Sequence, residues 1–157
     1  MHIAVIKFSN LLSKELYRLV IIHVFFPLIV GCLIYIFFRS ISIRFFYWFE
    51  IVGIKSFVLS IRNIIYPFKN ELPTWIYFSL PDGLWVYSLS SALIILWREQ
   101  FKFGKYWLMI PLLFGAFFEF GQKMKIFPGT YDIIDFTFSI IALILSIITL
   151  KPKIQKK

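Results

Sequence analysis

The run from Leu19 to Phe38 constrains this chain most, because it holds no Asp, Glu, Lys or Arg. At a rise of about 1.5 Å per residue, a helix of this length is about 30 Å long, the thickness of the hydrocarbon core of a membrane. A helix on a soluble protein keeps polar residues on its outer face, whereas this run is apolar nearly all round. We therefore predict a transmembrane helix over residues 19–38, preceded by a lead-in segment over residues 1–18.

The same apolar character extends over the whole chain, in which 60% of the residues are hydrophobic and 21% are aromatic. Soluble domains are about half apolar and carry more charge. Further apolar runs at 80–97, 106–122 and 133–150 are long enough to cross a membrane, with 106–122 near the lower limit. The predicted fold class is therefore an all-α polytopic membrane protein with about four transmembrane helices, forming a single membrane domain over residues 1–157.

Residues 41–66 are apolar but hold too many charged side chains for an ordinary span. These side chains are Arg44, Glu50, Lys55 and Arg62. The basic ones fall on one side of a helix, which predicts an amphipathic helix in the membrane interface with this side facing the lipid headgroups. A shallow re-entrant hairpin about Gly53 is the alternative, and the sequence leaves both open.

The basic residues predict how the chain is oriented in the membrane. Lys and Arg number 17 against 8 Asp and Glu, which gives a net charge of +9. They flank apolar runs, where they meet anionic lipid headgroups, so we expect membrane lipids and not nucleic acid as partners. Their density is highest in the short segments 1–18, 98–105 and 151–157, and such flanks stay on the cytoplasmic side. Both termini are therefore predicted to be cytoplasmic.

Acidic residues inside or at the ends of the predicted spans indicate a binding site. Asp82 opens the second span, and Glu119 lies with Gln122 in the last turn of the third. Asp132 and Asp135 open the fourth span. The predicted topology brings all of these side chains to the outer end of the helices. Since ionisable residues within a membrane are functional candidates by default, we predict that they bind a ligand.

Helix capping is the structural alternative for two of these acids. Ser79 lies three positions before Asp82, the spacing of a capping box, and Asp132 stands where it can cap the fourth span. Glu119 is different, because it lies near the C-terminus of its helix, where the helix dipole disfavours an anion. It is therefore the strongest functional candidate.

Metal binding and catalysis have little support in the sequence. The only histidines, His2 and His23, are predicted to lie toward the cytoplasmic side, away from the outer acids. The single cysteine, Cys32, has no partner for a disulfide bond. We therefore predict no metal site, no catalytic residue and no cofactor, although an enzyme acting on lipid remains an alternative.

The order of the acidic and turn elements over residues 75–150 resembles that of the VanZ-like family of small membrane proteins. These elements are Leu80-Pro81-Asp82-Gly83-Leu84-Trp85, Glu119-Phe120-Gly121-Gln122 and Pro128-Gly129-Thr130-Tyr131-Asp132-Ile133-Ile134-Asp135. Gly83 and Thr130 stand where the family has Lys and Arg, so the resemblance is to a divergent member. The resemblance implies a bacterial plasma-membrane protein of the cell envelope. Some members of this family are linked to tolerance of glycopeptide antibiotics.

These patterns together predict an outward-facing acidic pocket that binds the headgroup of an envelope lipid or lipid-linked glycan, or an amphiphilic cation. One alternative is a small proton- or cation-coupled carrier, in which the carboxylates form the ion site. Four spans are few for a carrier, so it would act as a homo-oligomer. The other alternative is a purely structural subunit, in which the acids only cap helices.

Overall fold

The computed structural model describes residues 14–42, 44–98, 105–126 and 132–155, and these residues form helices and turns without a strand. Most of the predicted lead-in, most of the 98–105 loop and the Pro-Gly turn at 128–129 lie outside the described residues. The all-α fold class is confirmed for the described part of the chain.

Within these described ranges, three helices are long and apolar enough to cross a membrane. They are α1 (Lys14–Phe38), α5 (Ser79–Leu96) and α7 (Ile133–Gln155), the last with its apolar part at Ile133–Leu150. They correspond to the predicted spans at 19–38, 80–97 and 133–150. The predicted span at 106–122 is not among them, because it forms a short 3₁₀ helix (Lys105–Leu108) followed by α6 (Met109–Lys123).

Helix α1 is continuous across the predicted boundary between lead-in and span, and it contains a π-helical turn at Ile21–Phe25. In a regular α-helix the ring of Pro27 would clash with the carbonyl group of His23. The wider π-helical turn lies where this clash would occur, so the helix continues to Phe38.

Helix α5 lies at the centre of the described bundle and packs against both α1 and α7. Small residues of α5 lie in the buried part of this helix, where Ser88, Ser90 and Ser91 are all buried. Gly31 of α1 makes a similar close approach, because a Cβ atom there would stand 2.7 Å from Nε1 of Trp85. Small residues at helix crossings let the backbones of the two helices approach closely.

Hydrogen bonds of polar side chains also connect α1, α5 and α7. The Nδ1 atom of His23 lies 2.7 Å from the hydroxyl oxygen of Tyr87, which lies 3.2 Å from Oγ1 of Thr149. The Ser88 hydroxyl donates to the carbonyl oxygen of Val24 over 2.8 Å. His23 is therefore a packed, hydrogen-bonded residue inside the bundle, and not a member of the acidic group.

The chain direction of each helix follows from what its ends contact. Ile94, Ile95, Leu108 and Leu150 form a buried cluster at the C-terminal ends of α5 and α7 and the start of the α6 region. The opposite ends of these helices meet at the C-terminus of α1. Helices α5 and α7 therefore run parallel to each other, and α1 and α6 run in the opposite direction.

The segment 41–66, predicted as an amphipathic helix or a shallow re-entrant hairpin about Gly53, forms two helices, α2 (Arg44–Ile51) and α3 (Lys55–Ile65). They are separated at Gly53, whose φ of +79° is in the left-handed region that favours glycine. An ion pair of 2.7 Å between Lys55 and Glu50 spans this turn. After α3 come a 3₁₀ helix (Tyr66–Glu71) and the short α4 (Thr74–Tyr77).

The prediction that Arg62 faces the lipid headgroups is wrong. Only 4% of Arg62 is exposed, and its guanidinium group donates hydrogen bonds to the carbonyl oxygens of Ile36 and Arg39. The last carbonyl groups of a helix lack partners within the helix. Arg62 supplies such partners at the C-terminus of α1, and it thereby fixes α3 against the first span.

Candidate functional site

The predicted binding residues meet at the end of the bundle where α1 ends and α5 begins. Four of them, Asp82, Glu119, Gln122 and Asp135, line a cavity of about 520 Å³ and also an adjoining cavity of about 430 Å³. Asp132 lines only the second cavity. We call the two cavities together the acidic pocket. The structure thus brings all the predicted site residues together, as the predicted topology required.

The larger cavity has an apolar inner part. Its walls are formed by aromatic and aliphatic side chains of α5 and α6, which are Trp85, Val86, Leu89, Pro111, Phe114 and Phe118. The carboxylates stand together at one end of these walls. The pocket is therefore amphiphilic, with an acidic end and an apolar end.

Asp82 lies in the first turn of α5, but it does not cap that helix. The N-terminus of α5 has no side-chain capping hydrogen bond, so the capping box of Ser79 and Asp82 is not formed. The structure gives the Asp82 carboxylate no hydrogen bond or ion pair within the described residues. Its position at the pocket is thus not explained by helix capping.

Asp132 and Glu119 do have structural contacts. Oδ1 of Asp132 accepts a hydrogen bond of 2.9 Å from the backbone N–H of Ile134, which caps the start of α7. Oε2 of Glu119 accepts one of 3.1 Å from the backbone N–H of Asp132 itself. The two bonds resemble a capping box, but Asp132 accepts from the second N–H of α7 and the Glu comes from a different helix. Glu119 therefore joins α6 to α7 in addition to lining the pocket.

Two polar atoms at the pocket are buried without a hydrogen-bond partner in the described structure. They are Oδ1 of Asp135 and Nε1 of Trp85. An unpaired buried polar group is unfavourable by about 1–3 kcal/mol, and in native proteins such groups call for an explanation. Because Nε1 of Trp85 packs against Gly31 of α1, Oδ1 of Asp135 is the atom for which a bound polar ligand would supply a partner.

Arg39 also belongs to the site, although no sequence feature predicted this beyond its place directly after the first span. It lines the smaller cavity, and its guanidinium carbon lies 4.7 Å from the ring centroid of Phe78 and 5.4 Å from that of Tyr35. Tyr35 is four residues earlier, one helical turn away, so α1 presents both side chains to the pocket. Against the four carboxylates of the pocket, this single cation leaves a net negative charge.

Comparison with known proteins finds no matching family model, no similar curated protein and no similar solved structure. Among the described residues, no group of three or more His, Cys, Asp or Glu side chains is placed to hold a metal ion. The fold and the site therefore define an all-helical chain in which three helices can span a membrane and an acidic pocket lies at one end.

Proposed function

We propose that this chain is a multi-pass protein of the bacterial plasma membrane, VanZ-like in plan, whose acidic pocket binds the headgroup of an envelope amphiphile. The observation that carries the proposal is the amphiphilic cavity itself, with carboxylates at one end and apolar walls at the other. An excess of carboxylates attracts a cation, and the apolar walls accept a hydrocarbon group. A cationic amphiphile fits both parts.

A fourth membrane crossing is part of this proposal. The 3₁₀ helix Lys105–Leu108 and α6 follow each other with no gap, and together they are about 30 Å long at the usual rises of the two helix types. Leu108 packs in the cluster at one end of the bundle, while Glu119 lines the pocket at the other. This region therefore has the length and the end contacts of a crossing.

The first prediction concerns orientation. If both termini are cytoplasmic, the turn between α6 and α7 faces outward with the pocket, because basic flanks stay inside. An Ile126→Cys variant in a Cys32→Ser background should then react with a membrane-impermeant maleimide in intact cells. Ile126 suits this test because 65% of it is exposed. Reaction only after the membrane is opened would invert the proposed orientation.

The second prediction tests ligand binding. Asp82→Asn keeps the size of the side chain and removes its charge, and it should weaken binding of dodecyltrimethylammonium to the purified protein by about fivefold, or about 1 kcal/mol. The effect is moderate because Arg39 already offsets part of the Asp82 charge. Isothermal titration in a non-ionic detergent measures it.

Glu71→Gln is the matched control, since Glu71 is exposed and does not line the acidic pocket. It should bind the probe like the wild-type protein. Equal weakening in the two variants would show that the probe responds only to net charge. No binding by the wild-type protein would contradict the proposal for cationic amphiphiles.

A purely structural role is the second candidate, and the contacts of Asp132 and Glu119 favour it. Both side chains accept backbone hydrogen bonds at the start of α7, as a helix cap requires. Asp82 and Asp135 have no such role in the described structure, so capping explains only part of the acidic group. The binding test on Asp82 therefore separates the two candidates.

A further inference from the structure

A third cavity, of about 630 Å³, has Arg39 in its lining and so adjoins the acidic pocket. It shares Tyr35, Arg39 and Phe78 with that pocket, but its charged lining residues are all basic, namely Arg39, Arg62 and Lys69. We call it the basic pocket. Its basic lining residues were not among the predicted site residues.

The charge of Arg62 is fixed in position. Its guanidinium group is held by the carbonyl oxygens of Ile36 and Arg39, and its central carbon lies 4.5 Å from the ring centroid of Tyr66. Carbonyl groups and an aromatic ring attract the cation without neutralising its charge. Arg62 therefore contributes a rigid positive charge to the pocket wall.

Lys69 and Arg39 have aromatic neighbours and form no salt bridge with a carboxylate in the described structure, although Arg39 lies close enough to Asp82 for the two charges to attract each other. Nζ of Lys69 lies 4.8 Å from the ring centroid of Tyr77 and 5.2 Å from that of Tyr66. In addition, Nε of Arg39 is buried and has no hydrogen-bond partner in the described structure. Arg39 thus keeps an unused N–H donor at the boundary between the basic pocket and the acidic pocket.

The geometry points to a phosphate-binding site in the basic pocket, for a lipid phosphate headgroup or for free phosphate. Three cations around one cavity repel each other, and a bound anion relieves that repulsion. Guanidinium groups present several N–H donors in a plane that matches phosphate oxygens. Ser40 and Asn63 add a hydroxyl and an amide group to the lining. This inference does not depend on what the acidic pocket binds.

The position of the pocket favours a phosphate that approaches from the membrane surface. Arg39 directly follows Phe38, the last residue of the first candidate span. The phosphate groups of lipids lie at this boundary, where the hydrocarbon core ends. Aromatic rings of Tyr66, Tyr77 and Phe78 surround Lys69, and such rings are also typical of the membrane interface.

The test uses the whole protein, purified in a neutral detergent without phosphate, and two probes. Phosphatidylglycerol is titrated and its retention followed by native mass spectrometry, and inorganic phosphate is added as a competitor. Lys69→Gln should weaken phosphatidylglycerol retention by about tenfold, which corresponds to about 1.4 kcal/mol. Arg39→Gln should do the same, whereas Lys69→Arg, which keeps the charge, should stay close to wild type.

Arg44→Gln is the matched control, because it removes one positive charge from an exposed position outside the pocket. It should retain the lipid like the wild-type protein. Retention that inorganic phosphate does not displace would identify a lipid headgroup as the ligand, and displacement at comparable concentration would identify free phosphate. Equal losses in Arg44→Gln and Lys69→Gln, wild-type retention by Lys69→Gln, or no binding of either probe would overturn the proposal. Thermal unfolding of each variant shows whether it is folded. If Arg39→Gln does not fold, the lipid retention of Lys69→Gln alone decides the test.

Discussion

Arg62→Met is expected to lower the free energy of unfolding by about 3 kcal/mol, because it leaves two carbonyl groups at the end of α1 without their donor. Methionine replaces the apolar stem of the arginine but cannot donate a hydrogen bond. Burial lowers the pKa of the Arg62 guanidinium, so placing this cation away from water is itself unfavourable. The expected loss therefore comes from the unpaired carbonyl groups and from the detachment of α3 from the first span.

Thermal or denaturant unfolding of the purified protein in detergent measures this effect. Arg44→Met is the control, because Arg44 is exposed, and such surface substitutions usually change stability by less than about 0.5 kcal/mol. Arg62→Lys should fall between the two, since it keeps the charge but loses the planar arrangement of donors. If Arg62→Met is as stable as Arg44→Met, the guanidinium group does not hold the end of α1.

The long helices of this fold could be predicted from hydropathy alone. The predicted span at 80–97 differs from α5 by one residue at each end, and the apolar part of α7 begins at the predicted Ile133. Where a helix is both long and apolar, no tertiary contact is needed to recognise it. The 106–122 region was harder, because its first turn is 3₁₀ and divides it into two shorter elements.

The division of residues 41–66 into α2 and α3 could not be settled from the sequence. An isolated glycine within a helical pattern is tolerated at a moderate free-energy penalty, so Gly53 alone indicates neither a continuous helix nor a turn. The position of α3 against α1 depends on Arg62, whose guanidinium group bonds the carbonyl oxygens at the end of α1. That contact joins residues 26 and 23 positions apart, a separation that helical periodicity does not reveal.

The acidic pocket could be predicted because alternating spans bring particular helix ends to the same side. Asp82, Glu119 and Asp135 lie at such ends, and the structure places all of them at one pocket. The basic residues were missed for a physical reason. Arg62 was predicted to face the lipid headgroups, whereas it bonds the carbonyl groups at the end of α1. Arg39 was assigned no role, and it contacts the ring of Phe78 on another element.

Glu119 gives the prediction that best separates the role of charge from the role of structure. Its Oε2 atom accepts the backbone N–H of Asp132, and glutamine offers a carbonyl oxygen at nearly the same position. Glu119→Gln should therefore unfold like the wild-type protein, within about 0.5 kcal/mol. Without the negative charge, it should bind dodecyltrimethylammonium about tenfold more weakly, a difference of about 1.4 kcal/mol.

Glu119→Leu removes the acceptor together with the charge. The Asp132 N–H then loses its partner at the start of α7, which should destabilise the protein by about 1–3 kcal/mol in addition to weakening binding. Titration with the probe and unfolding in the same detergent measure both effects on each variant. Equal destabilisation in the Gln and Leu variants would mean that the charge itself holds α6 to α7. Wild-type binding by a stable Glu119→Gln protein would remove Glu119 from the ligand site, because its hydrogen bond to Asp132 would then account for its presence at the pocket.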